Sequence, residues 1–196
     1  MVSSALLGCM AGAFLAGRLA DRWGRLRVMF LASGLFTASA IGSGLAFGPM
    51  DMIVWRVLGG LGVGAASVIA PAYIAEISPA QVRGRMGSLQ QLAIVTGIFV
   101  ALLSDFAIAG AAGGSDEPLW FGLDAWRWMF LAETIPALAY GLLATTIPES
   151  PRYLVRLGKE DRARRLLGGV LKTGVDERIR EIKRTLRRDG SPRGHS

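Results

Sequence analysis

Charged residues are absent from long stretches of the chain. Val28 to Met50 gives 23 residues without one, Val57 to Ala75 and Met86 to Ser104 give 19 each, and Met1 to Gly17 gives 17. Trp128 to Pro148 is a fifth stretch of 21, interrupted only by Glu133. About 20 residues of α-helix, at ~1.5 Å rise each, cross a hydrocarbon layer about 30 Å thick. The pattern therefore predicts an all-α fold, a polytopic membrane bundle within 1–148. Its five transmembrane helices fall at about 1–17, 28–48, 52–75, 86–108 and 126–148. Buried helices of a soluble domain seldom exceed about 14 apolar residues and alternate with amphipathic partners, which are missing here. The first stretch is read as a helix and not as a signal peptide, because it carries no Lys or Arg, and Gly8, Gly12 and Gly17 recur at helix-packing spacing.

After Pro151 the periodicity changes. Val175, Ile179, Ile182 and Leu186 recur at helical spacing, with Asp176 and Glu177 opening the last helix and Arg184 and Arg187 near its end, as the helix dipole prefers. Residues 149–196 are read as short cytoplasmic amphipathic helices with a disordered end, a segment that could lie on anionic lipid. Composition agrees with a membrane chain: 52% of the 196 residues are apolar and 26 are glycine. The formal charge of +7 lies entirely after Pro148, where 14 Lys/Arg face 7 Asp/Glu; before it the count is 8 against 8. Nucleic-acid binding would need that charge without the spans, so no nucleic acid is expected. Cys9 and His195 are the only residues of their kinds, so no disulfide, metal site or cofactor is expected.

Loop charges orient the spans. Arg18, Arg22, Arg25 and Arg27 lie between the first two, Arg83 and Arg85 between the third and fourth, and the basic tail follows the fifth. The opposite loops, Gly48 to Asp51 and Asp105 to Asp124, contain acids and no Lys or Arg. The positive-inside rule puts the tail in the cytoplasm and the amino terminus outside, which points to a further helix ahead of Met1.

Gly8/Gly12, Gly44/Gly48 and Gly60/Gly64 are each four apart, a spacing that lets helix backbones approach in lipid. The run from Gly59 to Gly64 is read as helix packing and not as a phosphate loop, since no strand precedes it. Charges at membrane depth call for partners or water. Arg56 and Glu133 enter from the same side and lie roughly 8–10 Å below the outer surface at 1.5 Å per residue. Either they face each other across a polar cavity, or Arg56 snorkels outward and Glu133 is a structural pair or protonated. Gln91, Ile94, Val95 and Ile98 share a helical face. An amide there either hydrogen-bonds another helix or lines a wet passage suited to an uncharged, hydroxyl-rich solute.

The residues Gly17-Arg-Leu-Ala-Asp-Arg-Trp-Gly-Arg25 resemble the loop motif between helices two and three of the major facilitator superfamily. Arg56 with Gly60 and Gly64, Pro71-Ala-Tyr-Ile-Ala-Glu-Ile-Ser-Pro79, Arg83-Gly84 and Pro148-Glu-Ser-Pro-Arg152 look like the sugar porter family. The resemblance implies a partial amino-terminal half, helices two to six of twelve, lacking the first helix and the carboxy-terminal half. It implies that Gln91, with Ile94 and Ile98, contacts sugar hydroxyls, and that Arg56 and Glu133 surround a proton-coupling aspartate of the first helix. It further implies that Asp21, Arg22, Arg25, Glu76, Arg83, Glu149 and Arg152 form a cytoplasmic gating network, although the usual double arginine is here Arg25-Leu26-Arg27. A positive-inside cluster without a gating role is the alternative.

The expected function is transport of a sugar or polyol across the cell membrane by alternating access, proton-coupled in the full-length parent, with no chemical bond made or broken. Its expected partners are the solute, protons, the lipid bilayer and the missing carboxy-terminal half. The alternative is a truncated, non-transporting membrane fragment acting at most through helix association.

Overall fold

The computed structural model describes residues 2–170 and 174–190; the tail's far end and His195 lie outside the described residues. The membrane part consists of α1 (Val2–Trp23), α2 (Arg25–Gly44), α3 (Pro49–Ile77), α4 (Ala80–Ala112), α5 (Ala125–Ala132) and α6 (Thr134–Thr146). Five spans are long and apolar enough to cross a membrane, α5 and α6 together forming the last.

The helices run past the charge-free windows that predict them. Beyond the hydrocarbon a charged side chain reaches water while its backbone keeps helical bonds. α1 therefore continues through Arg18, Asp21 and Arg22, and the expected loop over 18–27 shrinks to one hinge, Gly24, with φ +96°. Only glycine adopts that angle without strain, and a Cβ there would also overlap the Glu149 carboxylate. For the same reason α4 reaches Ala112, which makes Asp105 helical where the sequence suggests the start of a loop.

The fifth span is broken at Glu133. Pro136 has no N–H to offer the carbonyl one turn earlier, and the Glu133 N–H instead bonds the Phe130 carbonyl in a tighter turn, 3.1 Å. The Ser33 hydroxyl on α2 donates to the Ala137 carbonyl just past the break, 2.8 Å, anchoring the second half of the span.

Inside the bundle the packing residues are small. Ala16, Ala20, Ala32, Ala65 and Ala144 are buried around Val28, Met29, Ile69 and Tyr73, while Leu6, Met10, Phe14, Phe99, Leu102 and Leu142 point outward. Large apolar groups outside and small ones inside suit a lipid solvent, where close backbone approach drives association. Gly60 and Gly64 of α3 press on the carbonyls of Ala5 and Cys9, and Gly8 and Gly12 of α1 press on those of Val57 and Leu61; a Cβ at any of the four would overlap backbone. Gly44 and Gly48 do not act as a pair: Gly44 ends α2, Gly48 precedes α3, and Gly48 faces open space, as does Gly17. Spacing of four places residues on one face only when one helix carries both.

α7 (Pro151–Arg156), α8 (Glu160–Val170) and α9 (Val175–Gly190) form a separate small cluster. Leu154, Val155, Ala163, Leu167, Ile179 and Ile182 are its buried core. Arg164 pairs with Asp176 at 3.1 Å and Lys183 with Glu160 at 2.7 Å across α8 and α9. The apolar stripe of α9 is thus spent on α7 and α8, which leaves its basic face, and not its apolar one, outward.

Candidate functional site

A cavity of about 710 Å³ opens among the spans. Ala5 and Cys9 of α1, Phe36 and Ser39 of α2, Arg56, Gly59 and Val63 of α3, Ile94 and Gly97 of α4, and Glu133, Pro136 and Tyr140 line it. Arg56 and Glu133 therefore share one wall system, otherwise largely apolar. Glu133, at the break of the last span, is one of the cavity's lining residues.

Arg56 and Glu133 are not ion-paired: no such bridge joins them among the described residues, although each lies within the other's field. The Arg56 guanidinium instead sits 4.0 Å from the centroid of the Phe130 ring. The negative face of an aromatic ring attracts a cation most strongly where water is scarce. Phe130 lies three residues before Glu133 and so one turn away along the same span, a partner that charge and hydropathy patterns do not reveal. Tyr140 was likewise not anticipated. Tyr140 lines the cavity, its hydroxyl is buried and has no hydrogen-bond partner among the described residues, and its ring meets Phe36 edge-on at 6.2 Å.

Of the three residues expected to contact a sugar, Ile94 lines this cavity, whereas Gln91 and Ile98 do not. Gln91 is exposed, and no residue of α4 over 81–112 is buried. All three still share one face of α4, three and four residues apart.

Around the hinge between α1 and α2 a polar network ties four helices. Arg25 is 8% exposed; its guanidinium donates to the Asp21 carboxylate at 3.1 Å, to the Ala20 carbonyl at 2.9 Å and to Glu76 at 2.9 Å. One oxygen of Glu149 accepts the N–H groups of Arg25 at 3.0 Å, Leu26 at 3.4 Å and Ser150 at 2.9 Å, thereby capping the start of α2. Ser150, fully buried, donates to Glu76. Tyr73 donates to the Pro148 carbonyl at 2.7 Å, and Arg156 to the Asp21 carbonyl at 2.7 Å. The network thus brings together Asp21, Arg25, Glu76 and Glu149 from the expected set. Arg22 and Arg83 are exposed, and neither guanidinium is ion-paired among the described residues; Arg152 lies on α7 next to Ser150. Ser150, Tyr73 and Arg156 are additions that only the packed ends of α3, α6 and α7 reveal. Replacing Glu149 by alanine strands three backbone donors at the α1–α2 hinge and is expected to cost about 1–3 kcal/mol, read as an earlier midpoint in detergent-solubilised unfolding.

The family model described as sugar (and other) transporter matches residues 1–196. A glucose transport protein of Synechocystis sp. is 62% identical over 193 residues, covering 98% of this chain and 41% of that protein. The D-xylose-proton symporter of Escherichia coli K12 is 36% identical over 207 residues, covering 94% of this chain and again 41% of the relative. The structure of the proton:xylose symporter XylE bound to 6-bromo-6-deoxy-D-glucose, a protein of the major facilitator superfamily, aligns with a TM-score of 0.85 at 35% identity, over 95% of this chain and 42% of that one. The chain spans 41% of the length of each of these two curated relatives. With its five spans, its broken last span and a match along its whole length, this multi-pass membrane chain belongs to the sugar (and other) transporter family and has the helical fold of the major facilitator superfamily.

Proposed function

We propose that a full-length parent carrying this chain moves a sugar or polyol across the cell membrane by alternating access, coupled to protons, with the tail in the cytoplasm. The observation that carries the reading is one cavity at membrane depth with Arg56 and Glu133 both on its wall and not paired to each other. An unpaired guanidinium and carboxylate in lipid are costly unless they border a hydrophilic route or a third ionisable group. A first-helix carboxylate, as the family resemblance implies, would find both the cation and the acid beside it. The relatives named as transporters of glucose and of xylose with protons support the solute class and the coupling. No bond is made or broken in this cycle, so no catalytic group or cofactor is required.

Gln91, Ile94 and Ile98 are assigned to the solute side of α4, where the exposed amide has donors and an acceptor for hydroxyls. Asp21, Arg25, Glu76 and Glu149 brace the inner end of this half. Arg22 and Arg83, exposed beside them, and Arg152 on α7 are assigned to contacts that form and break against a second half as the protein rocks.

For the chain on its own the reading is different. Gly8, Gly12, Gly60 and Gly64 are consumed in the contact between α1 and α3, whereas Gly84, Gly87, Gly97 and Gly110 of α4 face open space. Reconstituted alone in liposomes, the 196-residue chain is expected to show no saturable sugar uptake.

The test is uptake by the full-length parent with Gln91→Ala. Losing one hydroxyl contact is expected to raise KM for glucose or xylose about tenfold with little change in maximal rate. Unchanged KM for both sugars would remove Gln91 from the site, and absence of saturable uptake in the unmodified protein would remove the transport reading.

A further inference from the structure

Between α4 and α5 the chain makes a tight hairpin whose tip is Trp120-Phe121-Gly122-Leu123. The Leu123 N–H bonds the Trp120 carbonyl at 3.1 Å, the Leu119 N–H bonds the Leu123 carbonyl at 3.0 Å, and Pro118 and Asp124 pair as an isolated bridge. Both central residues have positive φ, Phe121 at 56° and Gly122 at 72°. A turn of that kind favours Asn or Asp followed by Gly, because short polar side chains tolerate the left-handed region and bulky ones do not. Phe121 is the one non-glycine residue with positive φ among the described residues, and its ring is 93% exposed. A strained backbone that ends in a fully exposed aromatic ring has no stabilising role in water.

The tip does not project away from the bundle. The Trp120 ring packs edge-on against Trp128 at 5.6 Å and Phe121 lies 6.3 Å from it, while the Trp128 indole N–H donates to the Trp120 carbonyl at 3.3 Å. Trp128 is three residues past the start of α5, so the tip lies level with the first turn of a membrane span, about 4.5 Å along its axis. Trp120 is 60% exposed, and Phe106 on the neighbouring stretch of α4 is 75% exposed. α4 likewise has no buried residue over 81–112. Around the tip the charges are Asp116, Glu117 and Asp124, three acids against one cation, Arg127, whose guanidinium donates to the Gly44 carbonyl at 3.2 Å and sits 4.5 Å from the Trp126 ring.

We infer that Trp120 and Phe121 form a wedge that sits in the headgroup–acyl boundary of the outer leaflet, in zwitterionic lipid. Aromatic rings favour that layer, with ring in hydrocarbon and polar edge in water. The acidic rim disfavours anionic headgroups. The wedge holds the outer ends of α4 and α5 at a defined depth, beside the break that carries Glu133.

The test uses the chain labelled with fluorotryptophan, in phosphatidylcholine bilayers, read by fluorine NMR, with the Trp120 resonance assigned by Trp120→Phe. A nitroxide on the upper acyl chain of the lipid is expected to broaden Trp120, and an aqueous gadolinium chelate to leave it sharp. Phe121→Asn keeps a residue that accepts positive φ, so the turn is retained, and the lipid-induced broadening of Trp120 is expected to fall. Broadening by the aqueous chelate, or by neither agent as beneath a protein partner, would overturn the wedge. Undiminished lipid broadening in Phe121→Asn would overturn the part assigned to Phe121.

Discussion

Replacing Arg56 by leucine in a full-length parent is expected to reduce sugar accumulation against a gradient by about tenfold or more while leaving exchange of sugar for sugar within about twofold. Leucine ends short of the guanidinium carbon that lies 4.0 Å from the Phe130 ring, so the cation–π contact goes with the charge, a loss of about 0.5–2 kcal/mol that the fold is expected to tolerate. What disappears is the positive charge in the field of Glu133. Accumulation requires a carboxyl group near the cavity to release its proton on the low-proton side, and a neighbouring cation favours that release. Exchange needs only solute binding and the swing between the two open states. Parallel uptake and counterflow assays in proteoliposomes separate the two. Equal loss of both would make Arg56 a structural residue.

A valine at Gly64 is expected to have the largest effect on folding. Gly64 presses on the Cys9 carbonyl and the Ala13 amide of α1, and the atoms in the way are backbone, which has no rotamer to yield. α1 and α3 would have to separate along much of their shared length, at a cost of about 3 kcal/mol or more. The loss would show as failure to recover a monodisperse protein from detergent, or as a strongly lowered midpoint on titration with a denaturing surfactant. Gly17→Ala is the matched control: it lies in the same helix as Gly8 and Gly12 but faces open space, and alanine there is expected to be neutral or to stabilise by about 0.5–1 kcal/mol.

The spans are readable from the sequence because lipid admits almost no charge, so the gaps between charges mark them. The same signal misplaces helix ends, since α1 continues through Arg18 and Arg22 until Gly24 turns it. It is blind to the break at Glu133, although Pro136 announces one to a reader of backbone hydrogen bonding. Glycine spacing marks Gly8, Gly12, Gly60 and Gly64 as faces of close approach without telling that α1 and α3 meet there, and it misleads at Gly44 and Gly48, where the chain changes helix between the two. The cation over Phe130 and the unpartnered Tyr140 hydroxyl join residues distant in sequence, and no local pattern encodes them. The polar network at the α1–α2 hinge is half visible: its charged members follow from family motifs, whereas Ser150 and Tyr73 take part only because three helix ends meet there.

The most direct measurement is of protons and sugar together. Proteoliposomes of the full-length parent are placed in weakly buffered, sugar-free medium with a pH dye outside, and D-glucose or D-xylose is then added. The account predicts a prompt rise in external pH that saturates with sugar concentration and is lost in Arg56→Leu. Saturable sugar entry with no accompanying pH change would contradict the coupling assigned to Arg56 and Glu133, and no entry of either sugar would contradict the transport reading itself.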